Sequence, residues 1–279
     1  RSHGCAELPP AIIPDDNSYY EVSLRLAESV RRVTVVPETG ELAIRVTGPR
    51  LSARANAELA SAVRRMFRLD EDFAPFYAAI ENDPVLSWAA KGAGRMLASP
   101  TVFEDVVKTV CTTNCAWSGT VRMVSALVKD LGEGAFPQPR VMASAPPKFY
   151  RDVARAGYRG AYLKALSAAV AKGSLDLESL RPEYGLPDAE VEEQLLALPG
   201  VGPYACAHIM MLLGRYHRLI FDSWTRPAYL RFSGKRRASD RAIVRAFRPY
   251  GAFAGLAFWL MLTRKWVEEE SQGNQGSTG

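Results

Sequence analysis

The sequence predicts an α+β fold that is mostly α: a small N-terminal antiparallel α/β unit followed by a larger helical body. Three observations carry this reading. Around residues 33–46, apolar and polar side chains alternate on both sides of a Pro-Glu-Thr-Gly turn. From Ser52 the apolar spacing switches to threes and fours. Beyond Ser99-Pro100 nearly every segment keeps helical spacing, interrupted only by short Gly/Pro steps. With 279 residues, 48% of them apolar and 23% charged, the chain suits a globular protein with a sizeable core, in one large or two ordinary domains.

The elements follow in order. Val33 and Val35 alternate, Pro37-Glu38-Thr39-Gly40 turns the chain, and Leu42, Ile44 and Val46 alternate on the way back, which predicts a hairpin. Leu59, Val63, Met66 and Phe67 then mark a helix. This N-terminal unit is expected over 1–98, with residues 1–4 read as extraneous to the fold. The helical body is expected over 99–270, with helices at 102–114, 118–131, 146–156, 160–172, 188–197, 203–214, 225–232, 239–247 and 252–266. Residues 271–279 are polar and Gly-rich and are expected to be disordered. No internal repeat is found.

Several function classes are disfavoured. The longest apolar stretch, Gly251 to Leu262, has 12 residues, whereas a membrane-spanning helix needs about 20. No apolar signal region follows the first residues. Four cysteines, at 5, 111, 115 and 206, form no CxxC pair and no clustered quartet, so neither an iron–sulfur cluster nor a metal held by Cys is expected. Scattered thiols point to an intracellular setting, in cytoplasm or nucleoid. The net charge of +5 is mild but unevenly placed. Arg226 to Arg248 holds eight basic residues against Asp240, a local +7, so the remainder sums to −2. Lys148 to Lys164 is a second basic stretch. Such concentrations suit a polyanion, although on charge alone a solvated helix face is the ordinary reading.

The most informative segment is Leu195-Leu196-Ala197-Leu198-Pro199-Gly200-Val201-Gly202-Pro203-Tyr204. An amphipathic helix runs into a Leu-Pro-Gly-Val-Gly turn and an apolar helix follows at once, at about 190–214. Two glycines allow a tight turn and let backbone N–H groups approach an incoming group without Cβ hindrance. Those amides sit at a helix N-terminus, where the dipole favours an anion such as phosphate. Pro203 suits the first helical turn.

This segment resembles the helix-hairpin-helix DNA glycosylases, the superfamily of base-excision enzymes that includes 8-oxoguanine and 3-methyladenine glycosylases. The resemblance implies double-stranded DNA carrying a damaged base as partner, with the amides of Gly200, Val201 and Gly202 gripping a phosphate. It also implies a K⁺ or Na⁺ held by the backbone carbonyls of Leu196, Leu198 and Val201, with no cofactor required. The family's catalytic Asp follows an apolar stretch; here Leu219-Ile220-Phe221-Asp222-Ser223-Trp224 stands in that place, 18 residues beyond Tyr204. Cys111-Thr112-Thr113-Asn114 looks like the family's Ser/Thr-Asn turn, which implies that Asn114 fills the space left by a flipped nucleotide. Gly157-Tyr158-Arg159-Gly160-Ala161-Tyr162 looks like its Gly-Tyr-Arg stretch, implying that Tyr158 wedges into the duplex and Arg159 addresses the opposite base.

Cleaving an N-glycosidic bond passes through an oxocarbenium-like sugar, so a nearby carboxylate lowers the barrier and can take a proton from the attacking water. Asp222 is the candidate, although an Asp before Ser-Trp-Thr is also a natural helix cap. The position of Tyr204 carries Lys in the family's bifunctional members, whose amine forms a Schiff base. Tyr cannot, so the expected enzyme is a monofunctional DNA N-glycosylase that leaves an abasic site. Tyr204 and His208 share a helix face and are expected to wall the base pocket, with Trp224 and Trp259 as further pocket residues. The N-terminal Gly-Gln-Ser-Phe-Arg-like motif of the 8-oxoguanine enzymes is not found in residues 1–60, and Gly119 stands where they place a second Arg. The substrate expected by analogy is therefore an alkylated purine. An oxidised purine is the alternative, and a non-catalytic DNA-damage-binding module of the same scaffold is the reading from another class. The protein is expected to act as a monomer.

Overall fold

The computed structural model describes the backbone of residues 2–273 and the side chains of residues 2–264. A four-stranded antiparallel sheet, in the order β1-β2-β3-β4, is built from β1 (Ala11–Ile12), β2 (Tyr20–Leu26), β3 (Ser29–Glu38) and β4 (Glu41–Val46). The hairpin read from the sequence is β3–β4: Val33 pairs with Val46, Val35 with Ile44 and Glu38 with Glu41. That register leaves Thr39-Gly40 as the turn, with Gly40 at φ +81°, a conformation that favours glycine. Strand β2 extends the sheet beyond the expected pair. Its Tyr20, Val22, Leu24 and Leu26 alternate with Glu21, Ser23 and Arg25, and they bury one face of the sheet.

Helix α1 (Ala53–Phe67) covers that face with Ala55, Leu59, Val63 and Met66. It starts where the Ser52 hydroxyl accepts the Ala55 N–H at 3.2 Å. It ends at Arg68, whose φ of +52° turns the chain away. The helical body comprises α2 (Ala74–Ile80), α3 (Val102–Thr112), α4 (Trp117–Ala126), α5 (Pro139–Ser144), α6 (Arg159–Ala171), α7 (Asp188–Leu196), α8 (Pro203–Leu212), α9 (Thr225–Ser233), α10 (Asp240–Phe247) and α11 (Ala254–Gly273).

Two apolar clusters fill the body, and α8 belongs to both. Cys206, Ile209 and Met210 join the cluster formed with α3, α4, α6 and α7, whereas Ala207 and Met211 join that of α2 and α9–α11. Being apolar nearly all round, α8 is buried from Ala205 to Leu212, as a central helix must be. Residues 73–96 pack in the second of these clusters, while Phe67 and Leu97 pack against the sheet's cluster.

Three further expectations are corrected. His3 lies in the interior at 4% exposure, and Cys5 and Leu8 join the first helical cluster, so the leading residues are part of the packing. The helix expected at 146–156 is present but shorter: residues 147–153 are helical, π-wound over Phe149–Val153, and Pro146-Pro147 separates them from α5 by interrupting helical hydrogen bonding. Helix α11 runs through Gly273, so residues 271–273 are helical; the rest of the tail expected to be disordered lies outside the described residues. Among the described residues no helix is long and apolar enough to cross a membrane. Within the basic stretch, Arg226 pairs with Asp240 at 2.8 Å, while Arg231, Lys235, Arg236, Arg237, Arg241, Arg245 and Arg248 are exposed.

Candidate active site at a helical hairpin

The link from α7 to α8, residues 197–202, is shaped by two glycines with different duties. Gly200 sits at φ +83°, and a Cβ there would lie 2.8 Å from Cδ2 of Tyr162 and 3.3 Å from Cγ1 of Val110. It must therefore be glycine for both conformation and space. A Cβ on Gly202 would meet nothing within 4 Å, so its face is open to an incoming group. Among the described residues, the N–H groups of Gly200, Gly202 and Tyr204 find no backbone acceptor, whereas the Val201 N–H is held by the Leu198 carbonyl at 3.1 Å. Free donors at a helix start, beside open space, are what an anion site requires. The Leu196 and Val201 carbonyls accept no backbone hydrogen bond there, and Leu198 accepts one, so all three oxygens keep lone pairs available.

Beside the hairpin lies a cavity of about 960 Å³. Of the residues singled out from the sequence, Asp222, Tyr204, His208, Trp224, Trp259, Asn114, Tyr158, Gly200 and Gly202 line it together. Val201, Leu196, Leu198 and Arg159 do not. Among the described residues, Asp222 is the sole carboxylate of the lining, and neither Lys nor Arg takes part. Its Oδ1 accepts the N–H groups of Trp224 at 2.8 Å and Thr225 at 2.6 Å, while its own N–H donates to the Thr225 hydroxyl at 2.9 Å. Asp222 thus does cap the turn into α9, and the cap fixes the carboxylate while both bonds fall on one oxygen. The capping role and a chemical role are compatible in this geometry.

Tyr204 and His208 stand one turn apart on α8, with ring centroids 6.1 Å apart. The Tyr204 hydroxyl shares a 3.3 Å hydrogen bond with Thr112, and burial pushes it up to about 12, against the opposing pull of that bond. Burial pushes the His208 imidazole down to about 3, so it is neutral at ordinary pH. Trp224 and Trp259 meet across the second apolar cluster at 5.9 Å.

On the opposite rim, α3 ends at Thr112 and Asn114 turns the chain with φ +44°, which Asn tolerates. Asn114 Nδ2 donates to the hydroxyl of Tyr158 at 3.4 Å, and Tyr158 is 53% exposed. Arg159 is buried, and its guanidinium donates to the carbonyls of Thr113 and Asn114. These bonds hold the Asn114 turn in place. Gly119 is explained by packing, since any Cβ there would strike Cys115 Sγ. Sequence reasoning did not single out Trp117, Cys5 and Gly4, which also line the cavity. Trp117 opens α4 three residues beyond Asn114 and is 47% exposed, the position of a rim residue.

Comparison with known proteins bears on this arrangement. No protein-family model matches the chain. A DNA-3-methyladenine glycosylase of Bacillus subtilis is 23% identical over 57% of this chain and 55% of its own length, so the chain spans about half the length of that curated relative. The 8-oxoguanine glycosylase/lyase of Clostridium acetobutylicum, in its apo form, superposes with a TM-score of 0.69 at 22% identity, covering 92% of this chain and 90% of its own. A 3-methyladenine DNA glycosylase from Archaeoglobus fulgidus superposes with a TM-score of 0.68 at 17% identity, covering 95% and 93%. The fold is that of the helix-hairpin-helix DNA glycosylases. Both the sheet unit and the helical body of this chain fall within the glycosylase fold, since each superposition covers more than nine-tenths of it.

Proposed function

We propose that the protein is a monofunctional DNA N-glycosylase of base-excision repair that extrudes an alkylated purine from duplex DNA and hydrolyses its N-glycosidic bond. One observation carries this reading: a cap-fixed carboxylate, Asp222, and the open amides of the hairpin lie on one aromatic-walled cavity. In this reading the amides of Gly200, Gly202 and Tyr204 hold a backbone phosphate, which sets the register of the duplex. The carbonyls of Leu196, Leu198 and Val201 would hold a monovalent cation that adds positive charge beside that phosphate. Tyr158 and Asn114, bonded to each other at the rim, occupy the gap left by the extruded nucleotide.

The chemistry follows from the charge of the lining. As the glycosidic bond stretches, the sugar gains positive charge, and the Asp222 carboxylate stabilises it and receives a proton from the attacking water. A neutral base needs protonation to leave, yet His208 is held neutral and no other acid lines the cavity. A purine made cationic by ring alkylation departs without that proton. It also suits a cavity whose described lining carries the Asp222 carboxylate and whose walls include Tyr204, Trp224 and Trp259. The resemblance to 3-methyladenine glycosylases and the missing oxidised-base motif support the same substrate. Among the described residues no lysine lines the cavity, which supports hydrolysis over Schiff-base chemistry; of the two alternative amines, Lys164 donates to the Ala143 and Ala145 carbonyls elsewhere, and the Lys265 side chain lies outside the described residues.

The experiment is base release from alkylated duplex DNA by the wild type and by Asp222→Asn, with DNA affinity measured in parallel. The expected result is excision by the wild type and loss of excision in the variant with affinity retained. Tight binding to damaged DNA with no excision of any lesion by the wild type would instead identify a binding module.

A further inference from the structure

Beneath the cavity, three side chains that the proposed excision chemistry does not use as a group converge. His3, Cys5 and His208 are all buried, and one ligand-capable atom from each lies within 4.8 Å of the other two. They come from distant parts of the chain, the leading segment and the centre of α8, and the two imidazoles meet edge to face at 5.7 Å.

Their hydrogen bonding is incomplete in an informative way. His3 Nε2 donates to the Leu97 carbonyl at 2.7 Å. A carbonyl can only accept, so Nε2 carries the hydrogen and Nδ1 of the neutral ring is a bare lone pair. That Nδ1 is buried and has no partner, and His208 Nδ1 is in the same condition. A ring whose far nitrogen is anchored to a backbone carbonyl while the near one is left bare is the arrangement of a metal-ligating histidine.

We propose that His3, Cys5 and His208 form a His₂Cys site for a zinc-class divalent ion. Two imidazoles and a thiolate are a borderline-soft donor set, the kind zinc prefers over calcium or magnesium. On binding, the Cys5 thiol gives up its proton to solvent as the sulfur–metal bond forms, and the imidazoles bind through existing lone pairs. Cys5 and His208 themselves line the cavity, whereas His3 does not. The bound ion would therefore lie at the cavity wall, held by Cys5 and His208. It would also tie the leading segment to the hairpin helix. The inference is independent of excision activity and concerns metal affinity alone.

The test is to strip the full-length protein with a chelator and titrate it with Co²⁺, followed by X-ray absorption of the Zn²⁺ form. The expected result is one equivalent bound, with a thiolate-to-cobalt charge-transfer band in the near ultraviolet. X-ray absorption should show one sulfur at about 2.3 Å and nitrogen neighbours at about 2.0–2.1 Å. Cys5→Ser should weaken binding at least about tenfold and abolish the band, since loss of a ligand exceeds the loss of a group that merely orients one. Cys115→Ser, which alters a thiol outside the cluster, should leave both unchanged. Binding without a thiolate band in the wild type, or a band that survives Cys5→Ser, would overturn the proposal. The wild-type spectra decide the question even if the Cys5 variant fails to fold.

Discussion

Replacing either glycine of the hairpin by alanine separates the two duties that the structure gives them. At Gly200 the φ of +83° is left-handed, which costs a residue with a Cβ about 1–2 kcal/mol. The new Cβ would also stand 2.8 Å from the Tyr162 ring and 3.3 Å from Val110, and making room in a packed site costs about 1–3 kcal/mol more. Gly200→Ala is therefore expected to lose about 2–5 kcal/mol of stability. At roughly 2–4 °C per kcal/mol for a chain of this size, that is a fall in Tm of about 5–20 °C. At Gly202 the backbone is at φ −100° with nothing within 4 Å of an added Cβ, so Gly202→Ala should stay within about 0.5 kcal/mol of the wild type. Its Cβ would instead face an approaching phosphate. Loss of one charge-assisted hydrogen bond there should weaken DNA binding by about tenfold or more. Calorimetric unfolding and fluorescence-anisotropy binding on both variants read the two effects. A stable Gly200→Ala, or a Gly202→Ala that unfolds early yet binds DNA normally, would refute this assignment of roles.

Other expectations follow from the same physics. Lys108 and Glu104 form a buried pair at 2.7 Å on α3, so Lys108→Met alone should cost about 3–5 kcal/mol by denaturant titration, and Lys108→Met with Glu104→Leu should recover most of it. Burial pushes the Cys111 thiol up to about 12 from its ordinary 9. The folded state thus favours the protonated thiol, and this contribution is complete below pH 9 and lost as pH rises toward 12. Stability should fall across that window by up to about 1.4 kcal/mol per pH unit, with a shallower slope in Cys111→Ala. Arg159→Ala should lower both Tm and excision, because it removes the donor that holds the Thr113 and Asn114 carbonyls. Arg159→Gln, which keeps one donor group, should recover part of each.

How far the sequence could be read depended on whether each signal was local. The β3–β4 hairpin is written in short-range alternation and a Gly turn. The alternation of Tyr20 to Leu26 is as regular as that of β3, so β2 was readable too; the missing cue was a tight turn on its N-terminal side. The hairpin at 198–202 and the Asp222 position were readable because glycine placement and spacing both constrain them. The part Arg159 plays in the Asn114 turn was not legible because its partners are backbone carbonyls 45 and 46 residues away, which no spacing rule encodes. The His3–Cys5–His208 cluster was invisible for a similar reason. Cysteine spacing alone predicts no metal held by Cys, and only the fold brings His208 to two residues near the chain's start. Trp117 lay in the gap between the helices expected at 102–114 and 118–131, and its place at the rim depends on how α4 leaves the Asn114 turn.

The most direct test of the central claim uses end-labelled duplexes carrying a single alkylated purine, incubated with the protein and resolved with and without alkali. A monofunctional glycosylase acting through Asp222 is expected to give strand breaks only after alkali. Asp222→Asn should slow them by at least about a hundredfold, the scale on which aimed electrostatic stabilisation acts. Strand cleavage without alkali, or undiminished excision by Asp222→Asn, would contradict the account.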